Sequence, residues 1–97
     1  MAIEHMVWIK FNDGINQERI EYHLESLRSL KNQVPGIIRL AVGRNITDRA
    51  EGFTHGLLVS LASPQALEKY QAHPDHVKVA VPLKQDARLM AMDIAYD

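Results

Sequence analysis

The chain has 97 residues, which is enough for one domain and too few for two independent cores. Its 11 Lys and Arg nearly balance 12 Asp and Glu, so the net charge of −1 argues against a nucleic-acid-binding protein and against a polybasic membrane patch. The absence of cysteine excludes disulfides, thiolate zinc sites and cysteine nucleophiles. Residues 1–97 are therefore predicted to form a single domain.

The start of the chain, Met1 to His5, lacks the basic and apolar regions of a signal peptide. No apolar run approaches the length of a membrane span. We therefore expect a soluble, cytoplasmic protein that makes no membrane contact. A domain this small buries little apolar surface by itself, which favours an oligomer.

The first predicted element is a strand from Ile3 to Phe11, in which the two faces alternate at every residue. One face carries Ile3, His5, Val7, Ile9 and Phe11. The opposite face carries Met6 and Trp8, which a monomer would expose. The pattern predicts that another subunit covers this second face.

A helix is predicted from Asn16 to about Asn32, with Asn16 as its N-cap. Its apolar stripe has helical spacing and consists of Ile20, Leu24, Leu27 and Leu30. Pro35-Gly36 ends this helix, and a second strand follows from Ile37 to Val42. A long polar connection then runs from Gly43 to Gly52.

The second half of the chain repeats the strand–helix pattern. A third strand is predicted from Phe53 to Leu61, and Ser63 and Pro64 suit the start of a second helix. His73-Pro74 interrupts that helix, and Pro74 opens a short further helical segment to Val81. Leu89 to Tyr96 is predicted as the fourth strand.

The resulting β-α-β-β-α-β order predicts an α+β, ferredoxin-like fold with its helices on one face of an antiparallel sheet. In that topology the first and third strands are central neighbours. The other face of the sheet stays bare, and a partner subunit would cover its apolar side chains. The candidates for this bare face are Met6, Trp8, Leu58, Met90 and Met92.

The placement of the histidines suggests a polar cavity. His5 and His55 lie on the two strands expected to be central, on the face expected to look toward the helices. Tyr70 ends the apolar stripe of the second helix, and His76 follows shortly after it. We therefore predict that these four side chains converge on one cavity between the sheet and the helices. By contrast, His23 is expected to be a solvated surface residue.

This cluster supports two interpretations. Burial lowers the pKa of an imidazole, so a neutral ring could act as a general base, with a phenol stabilising an enolate oxygen. Alternatively, the same side chains only bridge structural elements by hydrogen bonds. His73 and His76 are separated by Pro74 and no carboxylate is well placed beside them, so no tightly bound transition metal is expected.

Several motifs give the chain a family resemblance. They are His5 with its alternating strand, Val34-Pro35-Gly36, Val42-Gly43-Arg44-Asn45, Glu51-Gly52-Phe53-Thr54-His55 and Tyr70-Gln71-Ala72-His73-Pro74-Asp75-His76. With these motifs in this order, essentially the whole chain resembles the stress-responsive α/β-barrel family, also called the Dabb family. The resemblance implies a homodimer in which two ferredoxin-like subunits pack sheet against sheet, as an α+β barrel.

The resemblance also implies candidate roles. Relatives include polyketide cyclases that use no metal or organic cofactor, and their base and assisting tyrosine correspond to His76 and Tyr70 here. Pocket histidines of these cyclases correspond to His5 and His55. We add His73 and Leu27 as candidate substrate-binding residues; Leu27 stands where the cyclase has an aromatic side chain, so the substrate is expected to differ.

Three functions follow from the sequence. The first is a cofactor-independent cyclase, lyase or isomerase acting on a small carbonyl compound. The second is a non-catalytic small-molecule-binding or stress-associated protein. The third is a haem-free, monooxygenase-like protein, because such enzymes share the barrel architecture, although architecture is a poor guide to chemistry.

Overall fold

The computed structural model describes all 97 residues and contains four strands and three helices. Their order is β1 (Ala2–Phe11), α1 (Gln17–Gln33), β2 (Ile37–Arg44), β3 (His55–Leu61), α2 (Pro64–Ala72), α3 (Pro74–Asp86) and β4 (Ala87–Tyr96). This order confirms the predicted α+β, ferredoxin-like fold. None of the helices combines the length and the apolar character that crossing a membrane requires.

The sheet has the strand order β2-β3-β1-β4, and every pair is antiparallel. The first and third strands are therefore central neighbours, as predicted. In this register His5 lies opposite Val59 on β3 and opposite Asp93 on β4. Since alternate side chains point to opposite faces, one strand supplies both the helix-covered side and the bare side of the sheet.

The helices begin where the sequence signals place them. The Asn16 side chain accepts a hydrogen bond from the Arg19 backbone N–H at 2.8 Å, and Ser63 Oγ accepts one from Ala66 at 3.1 Å. Both bonds satisfy backbone donors that the first turn of a helix leaves free. These caps fix the direction in which α1 and α2 leave the sheet.

The last helix is longer than predicted. It continues past Val81 to Asp86 and includes Pro82, and β4 then begins at Ala87 instead of Leu89. Proline removes one helical hydrogen bond. Tertiary contacts outweigh this loss, because the Asp86 carboxylate at the end of α3 is bonded to two side chains of α1.

The third strand, in turn, starts two residues later than predicted. It begins at His55, because Phe53 closes a turn with Ala50 and the Thr54 N–H bonds the Ile9 carbonyl at 3.0 Å. The second strand extends two residues beyond the predicted Val42, to Arg44. The two changes offset each other, so the connection between β2 and β3 moves to residues 45–54 and keeps its predicted length.

The core lies between the helices and one face of the sheet. Its fully buried apolar side chains come from β1, α1 and β3 and include Ile9, Leu30, Val59 and Leu61. Burying such a side chain contributes about 1.5–3 kcal/mol. The core therefore holds α1 and α2 firmly against the two central strands.

No helix covers the opposite face of the sheet, which we call the open face. Its exposed apolar side chains lie on β4, where Met90 is 51 % and Met92 is 55 % exposed. Met6 and Trp8 lie beside them on β1, in register with Met92 and Met90. A contiguous apolar surface of this kind is typical of an interaction site.

The expectation that His23 is solvated is wrong, because its side chain is only 1 % exposed. His23 Nε2–H donates to Asp86 Oδ2 at 2.6 Å, and Arg19 Nε donates to the same oxygen at 2.7 Å. The Phe11 ring stacks on the imidazole at 5.8 Å. His23 is four residues before Leu27, so it belongs to the buried stripe of α1.

The Asp86 carboxylate leads to a prediction of how the folding stability of the protein depends on pH. The hydrogen bond from His23, and then the one from Arg19, hold the pKa of Asp86 below its ordinary value. This contribution to stability is present above the pKa of the unfolded chain and is lost as the pH falls through the lower, folded pKa. Asp86→Asn should lower the Tm by several degrees at neutral pH and flatten its decline in acid, as measured by calorimetry.

A surface pair provides the control for this prediction. Glu25 is bonded to Arg28 one turn further along α1, and both side chains are largely exposed. Glu25→Gln should leave the Tm almost unchanged, because exposed ion pairs contribute little. Equal Tm values for Asp86→Asn and Glu25→Gln would contradict the role assigned to Asp86.

Candidate functional site

A cavity of about 340 Å³ lies between the sheet and the two C-terminal helices. β1 and β4 form its floor, and α1, α2 and α3 contribute side chains to its walls. Most of the lining is apolar, with the remaining side chains being His5, Tyr70, Gln71, His76 and Lys84. A mainly apolar cavity with a few convergent polar groups is typical of a small-molecule site.

Tyr70 contributes a buried hydroxyl to this polar group. Its side chain is fully buried, and the hydroxyl makes no hydrogen bond to any protein group. The ring lies 5.5 Å from the His5 ring and 4.5 Å from the His76 ring, measured between centroids. Burial raises the pKa of Tyr70 to about 12, so the hydroxyl stays protonated and can donate a hydrogen bond.

The backbone fixes the tautomer of His76. Its Nδ1 lies 3.1 Å from the Gln71 carbonyl oxygen, which can only accept, so Nδ1 carries the proton. In the neutral ring, Nε2 therefore keeps its lone pair. Burial lowers the pKa of His76, the bond to Gln71 opposes this, and the positive charges of His5 and Lys84 lower the pKa further. The neutral form of His76 is thus favoured near physiological pH.

A carboxylate orients His5 in the same way. Asp93 Oδ1 accepts a hydrogen bond of 2.5 Å from His5 Nδ1, across the β1–β4 pair in which the two residues are in register. Nδ1 then carries the proton, and in the neutral ring Nε2 keeps its lone pair. The sequence analysis did not identify Asp93 as a site residue. Strand alternation gives a signal for it, because Asp93 follows Leu89 and Ala91 at every second residue of β4, and these two residues line the cavity.

The structure places His55 outside this cavity, and the prediction that it converges with the other three side chains is wrong. His55 on β3 pairs with Ile9 on β1. Ile9 is four residues from His5, so the two histidines are separated by about 13 Å along the strand direction. Its Nδ1 is hydrogen-bonded to the Thr54 hydroxyl at 2.8 Å, and its ring meets Phe11 edge-on at 5.3 Å. Burial, and then the Arg44 charge, lower the pKa of His55.

His73 is also absent from the cavity, whereas Leu27 lines it. The His73 side chain caps α3, where Nδ1 accepts a hydrogen bond from the Asp75 backbone N–H at 3.1 Å. That nitrogen therefore takes part in the helix cap. No group of three or more His, Asp or Glu side chains is arranged to hold a metal ion.

A larger groove of about 500 Å³ lies mainly on the open face of the sheet. Met6, Trp8 and Leu58 line it, and it contains one histidine, His55, but no tyrosine and no carboxylate. Its larger volume reflects the uncovered sheet. The smaller cavity is the candidate site, because titratable groups with fixed tautomers converge only there.

The ferredoxin-like fold, the bare sheet face and the histidine–tyrosine cavity together define a barrel-type α+β domain. Residues 3–95 match the model of the stress responsive A/B barrel domain, and the chain belongs to this family. It is 30% identical over 79 residues to olivetolic acid cyclase from Cannabis sativa, covering 79% of this chain and 78% of the cyclase. It is 28% identical over 80 residues to the stress-response protein HS1 from Arabidopsis thaliana, covering 80% and 73%.

Solved structures share the fold over nearly the whole chain. The protein At3g17210 from Arabidopsis thaliana has a TM-score of 0.88 at 23% identity, covering 98% of this chain and 95% of that one. A dimeric ferredoxin-like protein of unknown function from Jannaschia sp. CCS1 has a TM-score of 0.86 at 21% identity, covering 99% and 100%. Hydroxynitrile lyase from Passiflora edulis has a TM-score of 0.81 at 19% identity, covering 99% and 95%. The relatives thus include a cyclase and a lyase.

Proposed function

We propose that this protein is a cofactor-independent enzyme of the cyclase, lyase or isomerase class, which transfers a proton on a small carbonyl compound. One observation supports the proposal: the buried Tyr70 hydroxyl has no protein partner, and the Tyr70 ring lies close to the His5 and His76 rings in a cavity. A buried hydroxyl without a partner is costly. A carbonyl oxygen of a ligand would supply the missing acceptor.

The proposed reaction starts with His76 as the base. Its Nε2 takes a proton from the carbon next to the substrate carbonyl, and the C–H electron pair becomes the double bond of an enolate. Tyr70 donates a hydrogen bond to the oxygen on which the negative charge develops. His76, now an imidazolium, returns the proton from Nε2 to the enolate, and His5, held by Asp93, lines the same cavity as a polar group. Leu27 shapes the apolar end of the cavity.

Two relatives support this reaction class. One is named as a cyclase, olivetolic acid cyclase at 30% identity, and the other as a lyase, hydroxynitrile lyase, which shares the fold. The positions assigned to His76, Tyr70 and His5 remain a proposal. His55 and His73, also predicted to bind substrate, are assigned no part in it because they lie outside the cavity.

We further propose that residues 1–97 act as one domain and assemble as a homodimer through the open face. Met90, Met92 and Ile94 are each more than two-fifths exposed on this face. Structural neighbours from three bacterial sources are described as dimeric. Two such sheets packed face to face would form the α+β barrel. The cytoplasmic location expected from the sequence remains a prediction.

Deuterium exchange tests the proposed chemistry without knowledge of the natural substrate. In deuterated buffer, the protein should speed up exchange of the protons next to the carbonyl of a short-chain methyl ketone, as followed by proton NMR. Tyr70→Phe removes only the hydroxyl and should slow this exchange about a hundredfold. Because that hydroxyl has no protein partner, the Tm should change by less than about 2 °C.

The same experiment separates catalysis from binding. If the ketone shifts the NMR signals of Tyr70 and His76 but no exchange occurs, the cavity only binds small molecules. If Tyr70→Phe lowers the Tm strongly and exchange is unaffected, the tyrosine has a structural role and the proposal is wrong.

A further inference from the structure

Lys84 is a solvent-exposed lysine that lines the candidate cavity, so it places a positive charge at the edge of that cavity. It lies in the last turn of α3 and lines the cavity together with Ala80 and Leu83. It is the only lysine or arginine among the lining residues. No Asp or Glu is among the lining residues, and Lys84 takes part in none of the ion pairs of the protein.

The rest of the wall shows how a ligand would reach this charge. Leu83, Val79 and Leu89 contribute apolar surface to the same cavity, whereas Tyr70 and His76 supply its polar groups. A small molecule that fills the cavity would therefore meet apolar side chains along its body. A group next to Lys84 would meet an ammonium that has no carboxylate partner within the protein.

We propose that Lys84 binds a carboxylate of the substrate, so that the protein acts on carbonyl compounds that also carry an anionic group. This inference rests on the proposed function, because it takes the same cavity as the substrate site. It adds the substrate class: small, partly apolar keto acids are preferred over neutral ketones of similar size. Lys84 thus determines specificity, while His76 and Tyr70 carry the chemistry.

A bound carboxylate also changes the electrostatics of the base. The positive charge of Lys84 contributes to the low pKa of His76. A carboxylate beside Lys84 offsets that charge and favours the imidazolium form. Binding of an anion should therefore raise the pKa of His76, whereas a neutral molecule of the same shape should not raise it in this way.

Octanoate and octanamide form a matched pair of probes, because they share a chain and differ in charge. Their binding is measured by NMR at low salt, through the signals of His76 and Tyr70. The wild-type protein should bind octanoate about fivefold more tightly than octanamide, and salt should weaken this preference. Lys84→Gln should remove the preference and leave octanamide binding unchanged.

Lys78 provides the control, since it is an exposed lysine of α3 that does not line the cavity. Lys78→Gln should keep the fivefold preference for octanoate and the anion-induced rise in the pKa of His76. The role of Lys84 is refuted if octanamide binds as tightly as octanoate, or if Lys84→Gln keeps the preference for octanoate. Either result still leaves the cavity as a binding site. If neither probe shifts the signals of His76 and Tyr70, both the inference and the proposed site fail.

Discussion

His76→Ala should lower the rate of ketone proton exchange by about two to four orders of magnitude, which is the usual contribution of a general base. The Tm should stay within a few degrees of the wild-type value, because His76 is only partly buried and its side chain makes one hydrogen bond to the backbone. Exchange rates by NMR and thermal melts of the same samples provide the two measurements. A large loss of stability with unchanged exchange would assign His76 to the fold.

His73→Asn provides the matched control. It removes an imidazole three residues away but keeps a side chain that caps helices well, so α3 should still begin at the same place. Exchange should remain at the wild-type rate, since His73 does not line the cavity.

The pH profile gives an independent test of the base. Because burial lowers the pKa of His76, Nε2 is unprotonated at and above neutral pH. The protein-catalysed rate should be flat there and should fall as the pH drops through a value below the ordinary 6.5. A rate that instead rises as the pH falls would contradict a role for neutral His76.

Trp8→Glu should split the proposed dimer. Trp8 lies on the open face beside Met90, and each apolar side chain buried between two sheets stabilises the dimer by about 1.5–3 kcal/mol. A glutamate there would also place a charge without a partner in the interface. Light scattering at micromolar concentration should show twice the chain mass for the wild type and a single-chain mass for the variant.

Two further variants keep this test decisive if Trp8→Glu does not fold. Met92→Glu changes a half-exposed position on the edge strand, so the fold should tolerate it while the dimer dissociates. Ile46→Glu makes the same kind of change at a loop residue that is 94% exposed and lies outside the open face, and it should remain dimeric. A wild-type mass of one chain, or dissociation of all three variants alike, would exclude the open face as the interface.

The central strands and the helix starts could be predicted from the sequence because their signals are local. Alternation marks β1, and Asn16 and Ser63 bond backbone groups only three residues away. The end of α3 could not be predicted in this way. It depends on Asp86 meeting Arg19 and His23, which are more than sixty residues distant in the chain.

The sequence predicted only part of the candidate site, because alternation along a strand does not determine the register between strands. Alternation correctly placed His5 and His55 on the same face of the sheet, but it carries no information about the offset between antiparallel strands. The register puts His55 opposite Ile9, so the two histidines are separated along the sheet. The family motif points to Tyr70 and His76, which line the cavity, whereas alternation along β4 indicates only the face on which Asp93 lies, and its pairing with His5 follows from the register of β1 with β4.

The edge strand β4 contributes side chains to both faces of the sheet. Ala91 lines the cavity and Asp93 holds His5, while the residues between and beside them, Met90, Met92 and Ile94, face the open side. The proposed assembly and the proposed chemistry thus share a single segment of backbone. If a second subunit keeps this strand in place, the orientation of His5 depends on the association state. We therefore expect the specific activity per chain to fall on dilution below the dimer dissociation constant.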